Sequence, residues 1–224
     1  MIPRTLEPEV MDSEQEAREY DEMDHVGVND VFVSDFLKAC PEQALRDDAQ
    51  ILDVGTGTAL IPIEFCRQSP IGNLVAIDLA AEMLKRAAAN LETAGMTERV
   101  QLKKCDAKRL PFQEQSFAAV MSNSIIHHIP EPIESLREMV RVLKPGGLLF
   151  VRDLMRPESV KDLETIVEQQ ASEETEYSRQ LFRQSLHAAL TVDEVQKMLE
   201  EFHLPPSCVS ATTERHWTIS AFCP

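Results

Sequence analysis

The run Ile51-Leu52-Asp53-Val54 passes into Gly55-Thr56-Gly57-Thr58-Ala59, and a helical pattern from Leu60 to Phe65 follows at once. That is a strand, a tight turn and a helix. Glycine lacks Cβ, so the backbone of such a turn takes strained angles and a ligand can lie directly against it. The alternation then continues along the chain. Strands are predicted at 50–54, 73–77, 100–103, 117–121 and 148–151, with helical patterns between them, notably 80–93 and 132–143. Parallel strands need crossovers long enough to hold a helix, so this order predicts an α/β fold, a doubly wound parallel sheet covered on both faces. Right-handed crossovers bring the strand carboxyl ends to one rim, where ligands bind. A nucleotide-like ligand is the first expectation.

The flanks add to this frame. Residues 1–11 read as an extended lead-in, and Ser13 to Glu16 has capping-box spacing for a helix reaching about Asp24. A second amphipathic segment, Val28 to Leu37, ends by Pro41. These are expected to be N-terminal cap helices, residues 1–41, packed on the domain formed by 42–224, either over one mouth of the fold or along an edge. Pro132 suits a first helical position, and Pro145-Gly146-Gly147 is expected to stop that helix. The acidic stretch 158–176 predicts a helix to about Ala171 and then a polar loop. Thr191 to Glu194 is another capping box, opening a helix through Phe202. The stretches 207–212 and 216–222 read as two strands joined by a turn, the last antiparallel to its neighbours.

With 224 residues the chain can bury a full core as one domain. A formal net charge of −16 argues against nucleic acid as partner, because binding phosphates needs lysine and arginine to displace counterions. The densest basic patch, Lys103-Lys104 with Lys108-Arg109, is short and reads as loop charge. Cys40, Cys66, Cys105, Cys208 and Cys223 lack the close pairing of a zinc site. No run approaches the ~18 apolar residues of a membrane span. A cytoplasmic location is expected.

The glycine turn alone does not name the ligand. A dinucleotide fingerprint wants glycine or alanine at position 60, where this chain has Leu60. Asp78 ends the second strand and suits any ribose. Further along come Met83-Leu84 after Ile77-Asp78-Leu79, Asp106 before Leu110-Pro111-Phe112, the strand Phe117 to Ser122, and Leu143-Lys144-Pro145-Gly146-Gly147. In this order and spacing, over roughly residues 28–222, the chain resembles the class I S-adenosylmethionine-dependent methyltransferases. The likeness is to their small-molecule branch, similar to ubiquinone/menaquinone-biosynthesis enzymes.

The resemblance implies a Rossmann-like seven-stranded sheet whose last strand is antiparallel, S-adenosylmethionine as cofactor, and methyl transfer to a small-molecule acceptor. Gly55 and Gly57 would pass under the methionine part, with Asp53 holding the turn and helping to receive the amino group. Asp78 would take the ribose hydroxyls, and Leu79 and Met83 would pack on adenine. Asp106 and the Ala107 N–H would face the adenine edge, and Ser122 would lie beside the sulfonium. Ala59 departs from members with a third glycine. A cofactor-binding sensor or partner protein without activity is the alternative, and a nicotinamide-dependent reductase is a third reading.

The acceptor side is less legible. His127 and His128 follow the fourth strand and titrate near neutrality, so they are candidates for a base. Backbone bonding in a tight loop is the other reading, and no metal is expected. Adjacent residues point in different directions, so at most one is expected to face the pocket. Asn123, Ser124 and Arg152 on the rim, and Tyr20, Met23 and His25 from the cap, are candidate substrate contacts; Arg152-Asp153 alternatively bridges neighbouring charges. Arg183 and His187 share one helical face, and Arg215-His216-Trp217 lies in the final turn and strand, with Trp217 expected in the core. Only Cys105 lies on the rim, which disfavours arsenic as acceptor. The acceptor atom and the oligomeric state are not encoded legibly.

Overall fold

A computed structural model describes residues 2–8, 10, 12–23, 26–46, 49–172 and 175–224. At its centre β1 (Gln50–Val54) is buried at every position after the first. It pairs in parallel with β2 (Asn73–Asp78) on one side and β4 (Phe117–Asn123) on the other. Outside these lie β3 (Val100–Lys104) and β5 (Leu143–Leu154), both parallel. Then comes β7 (His216–Phe222), antiparallel to β5 and to the edge strand β6 (Val209–Thr213). The order β3-β2-β1-β4-β5-β7-β6 is the seven-stranded sheet expected, with the last strand reversed. Because the order turns back between β1 and β4, their carboxyl ends diverge into a crevice.

Alternate side chains of the strands feed two cores. On one face Leu52, Val54, Ile77 and Val120 meet Leu136, Met139 and Val142 of α5 (Pro132–Val142), Val195 and Leu199 of α8 (Val192–Glu200), and Trp217. On the other, Ile51, Leu74, Met121 and Phe150 meet Phe65 of α3 (Leu60–Gln68) and Ala87 and Leu91 of α4 (Ala81–Ala94). Phe32 and Phe36 of α2 (Val26–Ala39) join this second core, edge-on to Phe150 at 5.4 and 5.8 Å. The two N-terminal helices therefore do different things. α2 covers a sheet face, whereas α1 (Glu14–Glu22), opened by the Ser13–Glu16 capping box, lies over the rim against α4.

One local expectation is corrected. α5 ends at Val142, and β5 pairing begins at Leu143, so Pro145-Gly146-Gly147 belongs to the strand rather than stopping the helix. Gly147 is needed there because a Cβ would stand 3.0 Å from the Ala118 carbonyl and 2.8 Å from that of Lys144. Residues 176–188, where the sequence showed only the shared helical face of Arg183 and His187, form a full helix, α7 (Glu176–Ala188), capped by Thr175. Its buried side is narrow, essentially Leu186 and Ala188, which hides the helical period among charged residues. Leu186 packs with Leu163, Ile166 and Val167 of α6 (Val160–Gln170) in a small third core that also takes Ile2. Among the described residues no helix is long and apolar enough to cross a membrane.

Candidate functional site

The turn after β1 owes its shape to three left-handed residues: Gly55 at φ +77°, Gly57 at +55° and Ala59 at +65°. Gly55 and Thr56 donate to the Ile77 carbonyl at 2.9 and 2.8 Å, which seats the turn on the end of β2. Asp78 completes the seat. Its Oδ2 accepts from the Gly57 amide at 2.8 Å and its Oδ1 from the Ala80 amide at 2.9 Å. Burial raises the Asp78 pKa above the ordinary carboxylate value.

A cavity of about 830 Å³, including its open mouth, begins at this turn. Gly55, Gly57, Asp78, Leu79, Met83, Asp106 and Ala107 line it, as do Asn123, Ser124, His128 and Tyr20. Seven of the nine residues expected to hold a cofactor thus share one wall. Asp53 and Ser122 lie behind it. The Ser122 hydroxyl is fully buried and donates to the Val54 carbonyl at 2.8 Å, so it ties β4 to β1 instead of facing the cavity. Asp53 is 1% exposed, and its Oδ2 has no hydrogen-bond partner. Burial, opposed by the nearby Thr56 hydroxyl and aided by the charge of Asp78, pushes its pKa up to about 7. A buried carboxylate oxygen without a donor beneath a glycine turn is suited to receiving a cation.

α1 closes part of the mouth. Tyr20 reaches over Gly57, where a Cβ would stand 3.5 Å from its ring. Ala17 and Tyr20 pack on Ala80 and Met83. The helix is latched to α4 by Asp21, which accepts from Arg86 Nε at 2.6 Å and Asn90 Nδ2 at 2.7 Å; Asn90 also donates to the Thr58 carbonyl of the glycine turn. Asp12 caps α4 by accepting from the Glu82 amide. Burial pushes the Tyr20 hydroxyl up to about 12, so it stays a neutral phenol. His25 lies outside the described residues, and Met23 is exposed away from the lining.

On the opposite wall a short 3-10 turn, Ile126–His128, follows β4. Ser124, left-handed at φ +58°, turns the chain and brings Ile125 against Gly55. The two histidines part company here. His127 is buried and its Nδ1 lies 2.5 Å from Asp153 Oδ1, while Asp153 also accepts from the amides of Ile126 and Leu154. Burial alone would lower the His127 pKa, but the Asp153 charge and hydrogen bond outweigh it and raise it. His128 faces the cavity, with Nδ1 3.0 Å from Glu7 Oε1. Arg152, expected on the substrate side, is engaged elsewhere: it donates to Thr218 Oγ1 and Asp35 Oδ2 and lies over Phe32 and Phe150. Arg183 pairs with Glu164 and Glu176, and Trp217 is in the core.

Glu7, Val10 and Asp153 were not among the residues singled out for the site, apart from Asp153 as a bridging charge. Residues 2–8 carry no period, and only the fold shows them strapped across the 3-10 turn by Arg4, which donates to the carbonyls of His127, Ile129 and Ala188.

A family model described as a methyltransferase domain matches residues 52–151, from β1 to the end of β4–β5 pairing. Residues 52–151 are thus similar to a methyltransferase domain. Within it lie the glycine turn, Asp78, Asp106 and both histidines; Glu7, Tyr20 and Asp153 come from outside. The ubiquinone/menaquinone biosynthesis C-methyltransferase UbiE of Pseudomonas aeruginosa is 34% identical over 116 residues, 51% of this chain and 45% of that one. The 27-O-demethylrifamycin SV methyltransferase of Amycolatopsis mediterranei is 28% identical over 180 residues, 79% of this chain and 62% of that one. The chain thus spans about half the length of the first relative. In fold, the chain matches a SAM-dependent methyltransferase from Aquifex aeolicus with a TM-score of 0.65 at 20% identity, over 96% of this chain and 100% of that one. A Methanococcus maripaludis protein, described as a putative S-adenosyl-L-methionine-dependent methyltransferase, matches with a TM-score of 0.70 at 17% identity, over 96% and 95%.

Proposed function

We propose that this chain transfers a methyl group from S-adenosylmethionine to a small-molecule acceptor. The observation that carries this reading is the partnerless, fully buried Asp53 oxygen under a glycine turn that opens into the cavity. Such an oxygen needs a donor, and an ammonium group at the methionine end of the cofactor supplies one. Gly55 and Gly57 leave room for the chain of that ligand, Asp78 takes the ribose hydroxyls, and Leu79 and Met83 hold the adenine faces. Asp106 and the Ala107 N–H serve its edge.

When bound, the cofactor supplies a methyl group already activated on a sulfonium, so the protein's task is to orient the acceptor and keep water out. Tyr20 and α1 exclude water from one side; Ile125 and Ile129 do so from the other. Asn123 and Ser124 offer polar contacts to the acceptor, and His128 is placed to accept its proton when the acceptor is a hydroxyl. The lidded cavity and the acidic surface suit a small molecule better than a polymer.

The test is incubation of the protein with methyl-labelled S-adenosylmethionine and a broad metabolite panel. Label passing into an extractable small molecule supports the reading. Tight cofactor binding with no transfer to any member of the panel would favour a sensor instead.

A further inference from the structure

We propose that Glu7, His127 and His128 hold a divalent transition-metal ion of the zinc type at the edge of the cavity. One ligand atom from each lies within 4.8 Å of the others. Glu7 Oε1 is 3.0 Å from His128 Nδ1 and 3.6 Å from His127 Nε2. A four-coordinate ion with bonds of about 2.0–2.1 Å sets its ligand atoms roughly 3.3 Å apart, between these two separations. Glu7 Oε1 and His128 Nδ1 are both buried, and neither makes a hydrogen bond of acceptable direction. An ion held between them would satisfy both atoms at once.

The surroundings of the three ligands are also built. Asp153 receives the Nδ1 side of His127, which leaves the Nε2 lone pair toward Glu7; a carboxylate behind a ligating imidazole fixes its tautomer and ring plane. Ser185 donates to Glu7 Oε2 at 3.1 Å and so commits the second oxygen, turning Oε1 inward. The 3-10 turn brings the two imidazoles together, with ring centroids 4.1 Å apart, which a strand or α-helix would not do for adjacent residues.

Two nitrogens and one oxygen suit zinc and its neighbours, and three protein ligands leave a position open. Because His128 lines the cavity, that position faces the acceptor side. An oxygen bound there, from water or from an acceptor hydroxyl, would release its proton to solvent near neutral pH, so that the ion rather than His128 would supply the activation. The metal site stands on its own geometry, so its test needs no methyl transfer.

The full chain, stripped by chelator and dialysed, is titrated with Zn2+ in competition with a chromogenic chelator, and with Co2+ by visible absorption. One equivalent should bind, with Co2+ bands of low-coordinate nitrogen/oxygen ligation and no thiolate charge transfer. Glu7→Gln and His128→Ala, each checked for folding by circular dichroism, should weaken binding by on the order of tenfold or more. Absence of stoichiometric binding of either ion, thiolate charge transfer, or binding unaffected by both substitutions would overturn the proposal.

Discussion

The Gly57 amide donates to Asp78 Oδ2 across 2.8 Å, joining the turn after β1 to the last residue of β2. One carboxylate therefore shapes the turn and faces the cavity it lines. Asp78→Ala removes both functions and should weaken S-adenosylmethionine binding by about 2–4 kcal/mol, the range of charge-assisted hydrogen bonds, with the Gly57 and Ala80 amides left unpaired. Asp78→Asn keeps an acceptor and should lose less. Unchanged affinity by calorimetry in folded Asp78→Ala removes the assignment.

Asp53 makes the ligand-free protein sensitive to pH. Its folded pKa of about 7 stands above the ordinary 3.8, so the folded state keeps a proton that the unfolded chain has released. The stability this confers is complete below 3.8 and is lost as pH rises through 7. Asp53→Asn should flatten that dependence and leave the ligand-free protein more stable than the native one at pH 8, by no more than about 4 kcal/mol. The same variant should bind cofactor more weakly. Urea unfolding across pH 5–8 tests the first expectation, and a steeper fall in the variant than in the native protein contradicts it.

The two histidines should separate cleanly in stability. In metal-free protein, His127→Ala strands the fully buried Asp153 carboxylate without its cation, a loss of about 3–5 kcal/mol. His128→Ala, at a partly exposed position, should cost about 1 kcal/mol or less. Equal midpoints in urea for the two variants would show that the Asp153 pairing is not what holds the turn.

Asp21→Ala should loosen the lid without disturbing the sheet, because Asp21 joins α1 to Arg86 and Asn90 of α4. Amide exchange across residues 14–22 should accelerate while the β1 and β4 amides stay protected. Cofactor dissociation should quicken in step. Protection unchanged over 14–22 would mean that apolar packing of Ala17 and Tyr20 alone holds the helix.

Much of this architecture was readable because each signal was local. Capping boxes at Ser13 and Thr191 appear as both halves of the reciprocal bond, and the strand-end acids Asp53, Asp78 and Asp106 fall where alternating elements place them. Ala59 hid a constraint: it looked like a tolerable small residue, yet it holds a left-handed conformation that glycine would take without strain. Ser122 was placed by the family resemblance and Arg152 by strand position, and neither says which face a side chain takes; Ser122 turns to the Val54 carbonyl and Arg152 to Asp35 and Thr218. The acceptor side was least legible because it is assembled over long separations. Glu7 meets His128 from far along the chain, and Asp153 meets His127 across a strand pair, with no spacing rule linking either pair.

The central claim is that the cavity under the glycine turn takes S-adenosylmethionine. Calorimetric titration of the native protein with S-adenosylmethionine, its demethylated product and NAD in parallel tests it most directly. Saturable one-to-one binding of the first two, and none of the third, is the predicted result; saturable NAD binding with no response to S-adenosylmethionine would contradict it.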